Sequence, residues 1–339
     1  MINEAVKMVI EGQNLNPKIC KEVAREIMNG NASETKIAAF LTSIRMKGET
    51  AEEIASFAKV MRDFCSKINP KVNGTLIDTC GTGGDKLKTF NISTAAAFVV
   101  AGEGIPVAKH GNRSVTSKCG SADVLEAMGV NLNLTPKQVE KTIEKVGIGF
   151  MFAPLFHPAM KNVQSIRKEL AIRTIFNILG PLTNPANAKA QVIGVYSKSL
   201  TFKIANALNK LGLEHALVVY GSGMDEISTH GVTYIAELKD SEVTEYTISP
   251  EDFEIKKANI NDLYAKDIET SVKFFSEVLE GKSRPRLDIV LLNAAAGIIV
   301  SGMAETIAEG IEIAHESVKS GRALEKFEQL AEETQQYEA

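Results

Sequence analysis

From Lys71 onward the chain alternates short apolar runs with stretches of small or helix-forming residues, and this alternation restricts the fold more than any other feature. Thr75-Leu76-Ile77-Asp78 reads as a short apolar strand ending in a glycine-rich turn. Ser93 to Gly102 reads as a small-residue helix, Ile105 to Ala108 as a strand and Ser121 to Met128 as a helix. Thr135-Pro136-Lys137-Gln138 opens a capped helix that Gly147 closes. Ala190 to Tyr196 and Ala216 to Tyr220 are further strands, with a helix from about Leu200 to Leu211 between them. Such alternation makes βαβ units and a mostly parallel central sheet flanked by helices, an α/β fold. Ligands in these folds gather at the carboxyl ends of the strands.

Residues 1 to about 68 have a different texture and read as all helix. Asn16-Pro17 is an N-cap followed by proline at the first helical position. Thr50-Ala51-Glu52-Glu53 fits a capping box just after Gly48, which ends the preceding helix. Ile37, Phe40, Leu41 and Ile44 recur at helical spacing and face a core. This segment holds no reactive cluster and reads as a helical domain or a dimerisation surface. The charged run from Glu325 to Glu338 reads as a solvated helix.

Composition excludes several functions. At about 150 residues per domain, 339 residues suggest two domains. With 38 Lys and Arg against 42 Asp and Glu the net charge is −4, which argues against broad nucleic-acid binding and an electrostatic membrane anchor. With 14 Phe, 6 Tyr and no Trp, a base-stacking platform is also disfavoured. Cys20, Cys65, Cys80 and Cys119 form no C-x-x-C pair, so neither a zinc site nor a disulfide framework is expected. The longest apolar run, Leu287 to Val300, is interrupted by Asp288 and Asn293, too short and too polar for a membrane span. The expectation is a cytoplasmic protein with no membrane and no nucleic-acid partner.

Five segments carry chemistry, each open to a plainer reading. Gly81-Thr82-Gly83-Gly84-Asp85 follows a strand and lets backbone N–H groups approach a phosphate, or is a structural turn. It is neither a dinucleotide fingerprint, since Lys86 stands where glycine is required, nor a P-loop. Asp85 would repel phosphate and better suits a ribose hydroxyl or a metal-bound water. Thr89-Phe90-Asn91-Ile92-Ser93-Thr94 opens a helix as an anion site, or Ser93 or Thr94 merely caps it. Lys109 to Lys118 is a donor-rich loop with no acid between Glu103 and Asp123, suited to pyrophosphate, or a solvated surface loop. Asp225-Glu226, on a glycine loop after a strand, suits Mg²⁺ shared with phosphates, or is solvated surface. Arg167 offers a fork for a small carboxylate, while Arg173 and Asn177 read as pins for a helix end; either arginine alone is a salt-bridge residue by default. No nucleophile elbow, H-E-x-x-H or cysteine–histidine arrangement occurs, so catalysis rests on positioning and charge neutralisation without a covalent intermediate.

In this order the runs GTGGD (81–85), NIST (91–94), KHGNRS (109–114), GSADVLEAMG (120–129), RTIFNILGPLTNP (173–185) and MDE (224–226) resemble the anthranilate phosphoribosyltransferase family of tryptophan biosynthesis, over nearly the whole chain. The resemblance implies a small helical domain, residues 1–70 completed by about 166–187, beside a larger α/β domain, 71–165 and 188–339. It implies a homodimer through the helical domain. The reaction implied transfers phosphoribosyl from phosphoribosyl pyrophosphate (PRPP) to the amine of anthranilate, releasing pyrophosphate. It assigns PRPP to Gly81, Gly84, Asp85, Thr89, Asn91, Ile92, Ser93, Thr94, Lys109, His110, Gly111, Asn112, Arg113, Ser114, Val115, Thr116, Ser117 and Ser121. Lys109 and Arg113 are favoured for stabilising pyrophosphate, and no residue is assigned as a catalytic acid, base or nucleophile. Gly81, Asn112 and Arg167 would meet anthranilate. Ser93, Asp225 and Glu226 would hold Mg²⁺, two ions per monomer. One departure is visible: Ala171 stands where glycine is expected, and would be strained if its φ were positive.

Two other functions stay open at this point. A nucleoside phosphorylase would share the architecture, but its glycine and basic loops read differently and free phosphate does not explain Asp225-Glu226. A non-catalytic nucleic-acid binder would need a basic groove, which a net charge of −4 with few aromatics disfavours.

Overall fold

The computed structural model describes residues 1–84, 87–113 and 119–337. It opens with four helices, α1 (Ile2–Ile10), α2 (Pro17–Met28), α3 (Glu34–Lys47) and α4 (Ala51–Asp63). Their ends follow the caps in the sequence: Asn16 Oδ1 accepts Ile19 N–H at 3.0 Å, and Thr50 and Glu53 exchange the two bonds of a capping box. Glu53 does more than cap. Fully buried, it also accepts the Leu15 N–H at 2.9 Å and the Lys47 ammonium at 2.9 Å, joining α4 to the α1–α2 connection and to the end of α3.

After α4 the chain runs β1 (Ile77–Gly81), α5 (Ile92–Gly102), β2 (Val107–Gly111), α6 (Ser121–Ala127), α7 (Pro136–Val146), β3 (Ile148–Phe152), α8 (Ala153–Phe156), α9 (Lys161–Leu170), α10 (Phe176–Leu179) and β4 (Ala190–Gly194). It continues with α11 (Thr201–Lys210), β5 (His215–Gly221), β6 (Thr233–Lys239), β7 (Glu242–Ile248), α12 (Ile260–Leu263), α13 (Ile268–Leu279), α14 (Arg284–Ser301), α15 (Ile307–Lys319) and α16 (Arg322–Gln335). The sheet order is β3-β2-β1-β4-β5-β6-β7, parallel from β3 to β5 and antiparallel beyond. The strand order reverses direction between β1 and β4, the place where open α/β sheets leave a crevice for ligands.

Each face of the sheet closes a different core. Val192, Leu217, Val219 and Ile235 point to α5, α13, α14 and α16. Ile193, Ala216, Val218, Ala236 and Leu238 share a second core with α11, with α1–α4, and with Val163, Ile166, Phe176 and Leu182. Alternation along the strands explains this division. α14 is apolar all round because it is interior; no helix among the described residues is long and apolar enough to cross a membrane. α16 is less solvated than its charges suggest, since Phe327 and Leu330 are buried and Phe327 stacks edge-on with Phe98 at 5.5 Å.

Candidate active site

β1 and β4 end side by side in two glycines, with Gly81 registered opposite Gly194. Both are bare because the turn after β5 crosses them. A Cβ on Gly194 would lie 1.5 Å from the Asp225 carbonyl oxygen, and one on Gly81 would lie 2.5 Å from Asp225 Oδ2. The glycine loop then continues along β4, with Thr82 N–H donating to Gly194 O at 2.9 Å. Gly83 N–H donates to Asp225 Oδ2 at 2.7 Å. Gly84 adopts φ +80°, and its carbonyl accepts a bond from Arg173 Nη2. Asp85 lies outside the described residues.

α5 begins at the floor of this crevice. Asn91 is its N-cap but makes no side-chain cap; its amide instead donates to Ser271 Oγ at 3.2 Å and Cys119 Sγ at 3.5 Å. Neither Ser93 nor Thr94 caps the helix, because both sit inside its first turn. Thr94 Oγ1 is buried without a hydrogen-bond partner among the described residues, and Ile92 is fully buried. Thr89 is half-buried just upstream, bridged to Tyr264. The Ile92 N–H of the first turn is taken by Phe90 O at 2.8 Å, so what converges there is the Ser93 hydroxyl, the Thr94 hydroxyl and the positive end of the helix dipole.

Lys109, near the end of β2, is buried, its ammonium bonding Thr79 O at 2.5 Å and Ser93 Oγ at 3.5 Å. Burial depresses its pKa, against the opposing pull of Asp78. Asp78 is fully buried inside β1, and burial raises its pKa while Lys109 and hydrogen bonds act against the rise. Its carboxyl oxygens accept His110 N–H at 3.2 Å, Asn184 Nδ2 at 2.7 Å and Gln191 Nε2 at 3.4 Å. These bonds tie β1 to the end of β2 and to the segment 173–187.

The loop after β2 is less naked than its sequence implies. Arg113 pairs with Asp123 at 3.0 Å and Glu126 at 2.7 Å, because α6 swings its acids back over the loop. Those partners raise its pKa further. Asn112 is exposed and its carbonyl accepts Ser121 Oγ at 3.3 Å. Gly111 admits no side chain, since a Cβ would meet Ser121 Oγ at 2.4 Å. Ser114, Val115, Thr116 and Ser117 lie outside the described residues. His110 is buried against His157, ring centroids 4.9 Å apart, and neither Nε2 atom has a partner among the described residues. Burial, then His157 and Lys109, push His110 down to about 3; burial pushes His157 down to about 4. Both rings are therefore neutral near pH 7, and the His110 ring bonds the backbone of Gly180.

Asp225 and Glu226 approach from the opposite wall. Glu226 Oε1 accepts Ser93 N–H at 3.3 Å, and burial raises the pKa of Asp225 against the Gly83 N–H and the Arg173 charge. Among the described residues no cluster of three or more His, Cys, Asp or Glu forms a protein-only metal cage. Two carboxylates with the Ser93 hydroxyl nearby are an all-oxygen, incomplete donor set. That set fits a hard cation which completes its shell with water and phosphate oxygens.

Arg167, on α9, is partly buried over the Phe176 ring at 5.8 Å, and burial lowers its pKa. Arg173 stacks on Tyr196 at 4.1 Å, and Asn177 Oδ1 accepts Thr174 N–H at 2.9 Å, pinning the start of α10. Ala171 has φ +48°, the left-handed conformation that disfavours a Cβ. Asn184 stands in a motif run and Asp78 and Gln191 in strands, but sequence reading assigned none of them a role; the one available signal was a carboxylate in an otherwise apolar strand.

The chain matches the model of the glycosyl transferase family a/b domain over residues 73–324 and that of the helical bundle domain of the same family over residues 3–65. It is 51% identical over 330 residues to an anthranilate phosphoribosyltransferase of Methanocorpusculum labreanum, covering 97% of each chain. Its fold superposes on the anthranilate phosphoribosyltransferase of Thermus thermophilus with a TM-score of 0.93 at 39% identity, covering 98% of this chain and 99% of that one. The Saccharomyces cerevisiae enzyme in complex with PRPP and Mg superposes with a TM-score of 0.90 at 28% identity, covering 99% of this chain and 98% of that one.

Proposed function

We propose a reaction for this chain on the premise that it belongs to the anthranilate phosphoribosyltransferase family: it transfers the phosphoribosyl group of PRPP to the amine of anthranilate, giving N-(5-phosphoribosyl)anthranilate and pyrophosphate, in tryptophan biosynthesis. The observation that carries the reading is the crevice at the strand reversal. There two bare glycines, a helix N-terminus, a buried lysine and an acidic pair face one another.

The residues divide the work by charge. Gly81, Gly84, Thr89, Asn91, Ile92, Ser93 and Thr94 form a bed of backbone N–H groups and hydroxyls for PRPP. His110, Gly111, Asn112 and Ser121 line its side at the end of β2. Asp85 and the run Ser114, Val115, Thr116 and Ser117 complete the assignment. Asp225, Glu226 and Ser93 hold Mg²⁺, two ions per monomer, which neutralises charge on the departing pyrophosphate. Lys109 is the cation best placed to stabilise that leaving group. Arg113 contributes by exchanging Asp123 and Glu126 for phosphate.

Arg167 orients anthranilate by a fork on its carboxylate, with Asn112 and Gly81 facing the ring. Burial lowers the Arg167 pKa, a cost that a bound carboxylate would offset, which supports that role. An aromatic amine is uncharged near pH 7, so attack on the ribose carbon needs no strong base. Positioning and electrostatics then supply the rate enhancement.

The helical unit of this reading comprises 1–70 with about 166–187, the α/β unit 71–165 with 188–339. Two copies pair through the helical unit in the cytoplasm. The decisive test is loss of anthranilate fluorescence with purified protein, PRPP and Mg²⁺, with EDTA as control. A decay that EDTA stops supports the reaction and the metal together. No decay in a folded protein that binds PRPP refutes anthranilate as acceptor.

A further inference from the structure

Residues 259–265, to which the site above gives no role, lie across the stretch that joins the glycine loop to α5. Thr89 and Tyr264 form an antiparallel bridge. Phe90 N–H donates to Leu263 O at 3.0 Å, and Ala265 N–H to Lys88 O at 3.1 Å. Residues directly opposed in such a bridge carry their side chains on the same side, with Cβ atoms about 4.5–5.5 Å apart. The Tyr264 side chain therefore stands beside that of Thr89. Tyr264 is 44% exposed, although a tyrosine tends to bury its ring and satisfy its hydroxyl.

The segment is fastened from behind by one residue. Arg286, at the start of α14, donates from Nη1 to Asp262 O at 3.1 Å and from Nη2 to Glu277 at 2.8 Å. Its guanidinium lies 3.8 Å over the Phe274 ring, and Phe274 meets Phe90 edge-on at 6.1 Å. Arg286 thus reaches both sides of the bridge, the strap through Asp262 and the loop through Phe274. Lysine would keep the charge but lose the fork and the stacking.

We propose that residues 259–265 form a second wall of the PRPP site, in which Tyr264 contacts the bound substrate beside Thr89 and Arg286 is a positioning residue that holds the wall in place. The wall covers the ribose side of the site with the ring and offers the phenol hydroxyl to a ribose or phosphate oxygen. The proposal rests on the phosphoribosyl reading of the site. It is tested with Tyr264→Ala, Tyr264→Phe and Arg286→Lys by calorimetric titration with PRPP in excess Mg²⁺ and by steady-state kinetics. Tyr264→Ala is expected to weaken PRPP binding about tenfold and raise its KM alike, with the anthranilate KM within twofold of the parent. Tyr264→Phe should fall between. Arg286→Lys should raise the PRPP KM while leaving the anthranilate KM unchanged, a split that general loosening of the fold would not give. PRPP affinity within twofold of the parent in Tyr264→Ala overturns the wall. A lowered Tm in Arg286→Lys with no KM split overturns the positioning role. If the parent chain binds PRPP but leaves anthranilate untouched, the acceptor assignment fails and the binding titrations still decide the wall. A parent chain that does not bind PRPP overturns both.

Discussion

The buried pair His110–His157 makes the stability of this protein fall on mild acidification. Free imidazoles titrate near 6.5. In the folded chain burial holds His110 at about 3 and His157 at about 4. Below pH 6.5 the unfolded chain therefore binds protons that the folded chain refuses, and stability declines as pH falls, down to the folded values. From pH 7 to pH 5 each imidazole removes about 2 kcal/mol, at 1.36 kcal/mol per unit over roughly 1.5 units. His157→Phe keeps a ring against His110, removes a buried nitrogen that has no partner among the described residues and deletes one titration. Urea unfolding followed by circular dichroism at several pH values measures the effect. The stability difference, variant minus parent, should rise by about 2 kcal/mol from pH 7 to pH 5. Asp78, whose pKa burial raises, acts in the opposite sense but is common to both proteins and cancels. Parallel curves for parent and variant would refute the reasoning, because they would mean that His157 takes up its proton equally in both states.

Three further outcomes are expected. Arg167→Ala should raise the anthranilate KM at least tenfold and leave the PRPP KM within twofold, since the lost charge-assisted pair is worth about 2 kcal/mol or more; equal losses for both substrates would show a structural role. Gly194→Ala forces a Cβ into the Asp225 carbonyl, so denaturant midpoints should report a loss of about 2–3 kcal/mol, with a several-fold higher Mg²⁺ requirement; an unaltered Mg²⁺ dependence would detach the turn from the metal. Ala171→Gly should stabilise by about 0.5 kcal/mol, left-handed strain of about 1–2 kcal/mol being partly offset by glycine's unfolded freedom. Lower stability of that variant in the same unfolding assay would show that the strain is negligible.

Local chemistry was the legible part of the sequence. Asn16, Thr50 and Thr135 cap the helices expected of them, and Gly147 closes α7 with φ +89°. The four expected strands overlap β1, β2, β4 and β5, but β1 and β2 start two residues later and end at Gly81 and Gly111, where ladders with β4 and β3 carry them, and β3 itself was not expected. The antiparallel strands β6 and β7 escaped notice, since their mixed polar pattern reports only one buried face. The site was legible as motifs and not as partnerships. Arg113 looked unopposed because its acids follow ten and thirteen residues later, on the next helix. Asp78 looked like the end of a strand, and only the fold shows that segment 173–187 returns Asn184 to it.

The shared core of the helical bundle also sets a timetable for synthesis. α4 ends at Asp63, yet the core it joins runs through α11, which packs directly on it, to Ala216, Val218, Ala236 and Leu238. A ribosome working at about 5–20 residues per second needs roughly 10–35 s to travel from Asp63 to Leu238. Throughout that interval the first four helices present an apolar flank that no later strand has yet covered. Transiently exposed hydrophobic surface of this kind is prone to aggregation. A fragment truncated after α4 should associate or be degraded, because the partner that completes its core is encoded so much farther along the message.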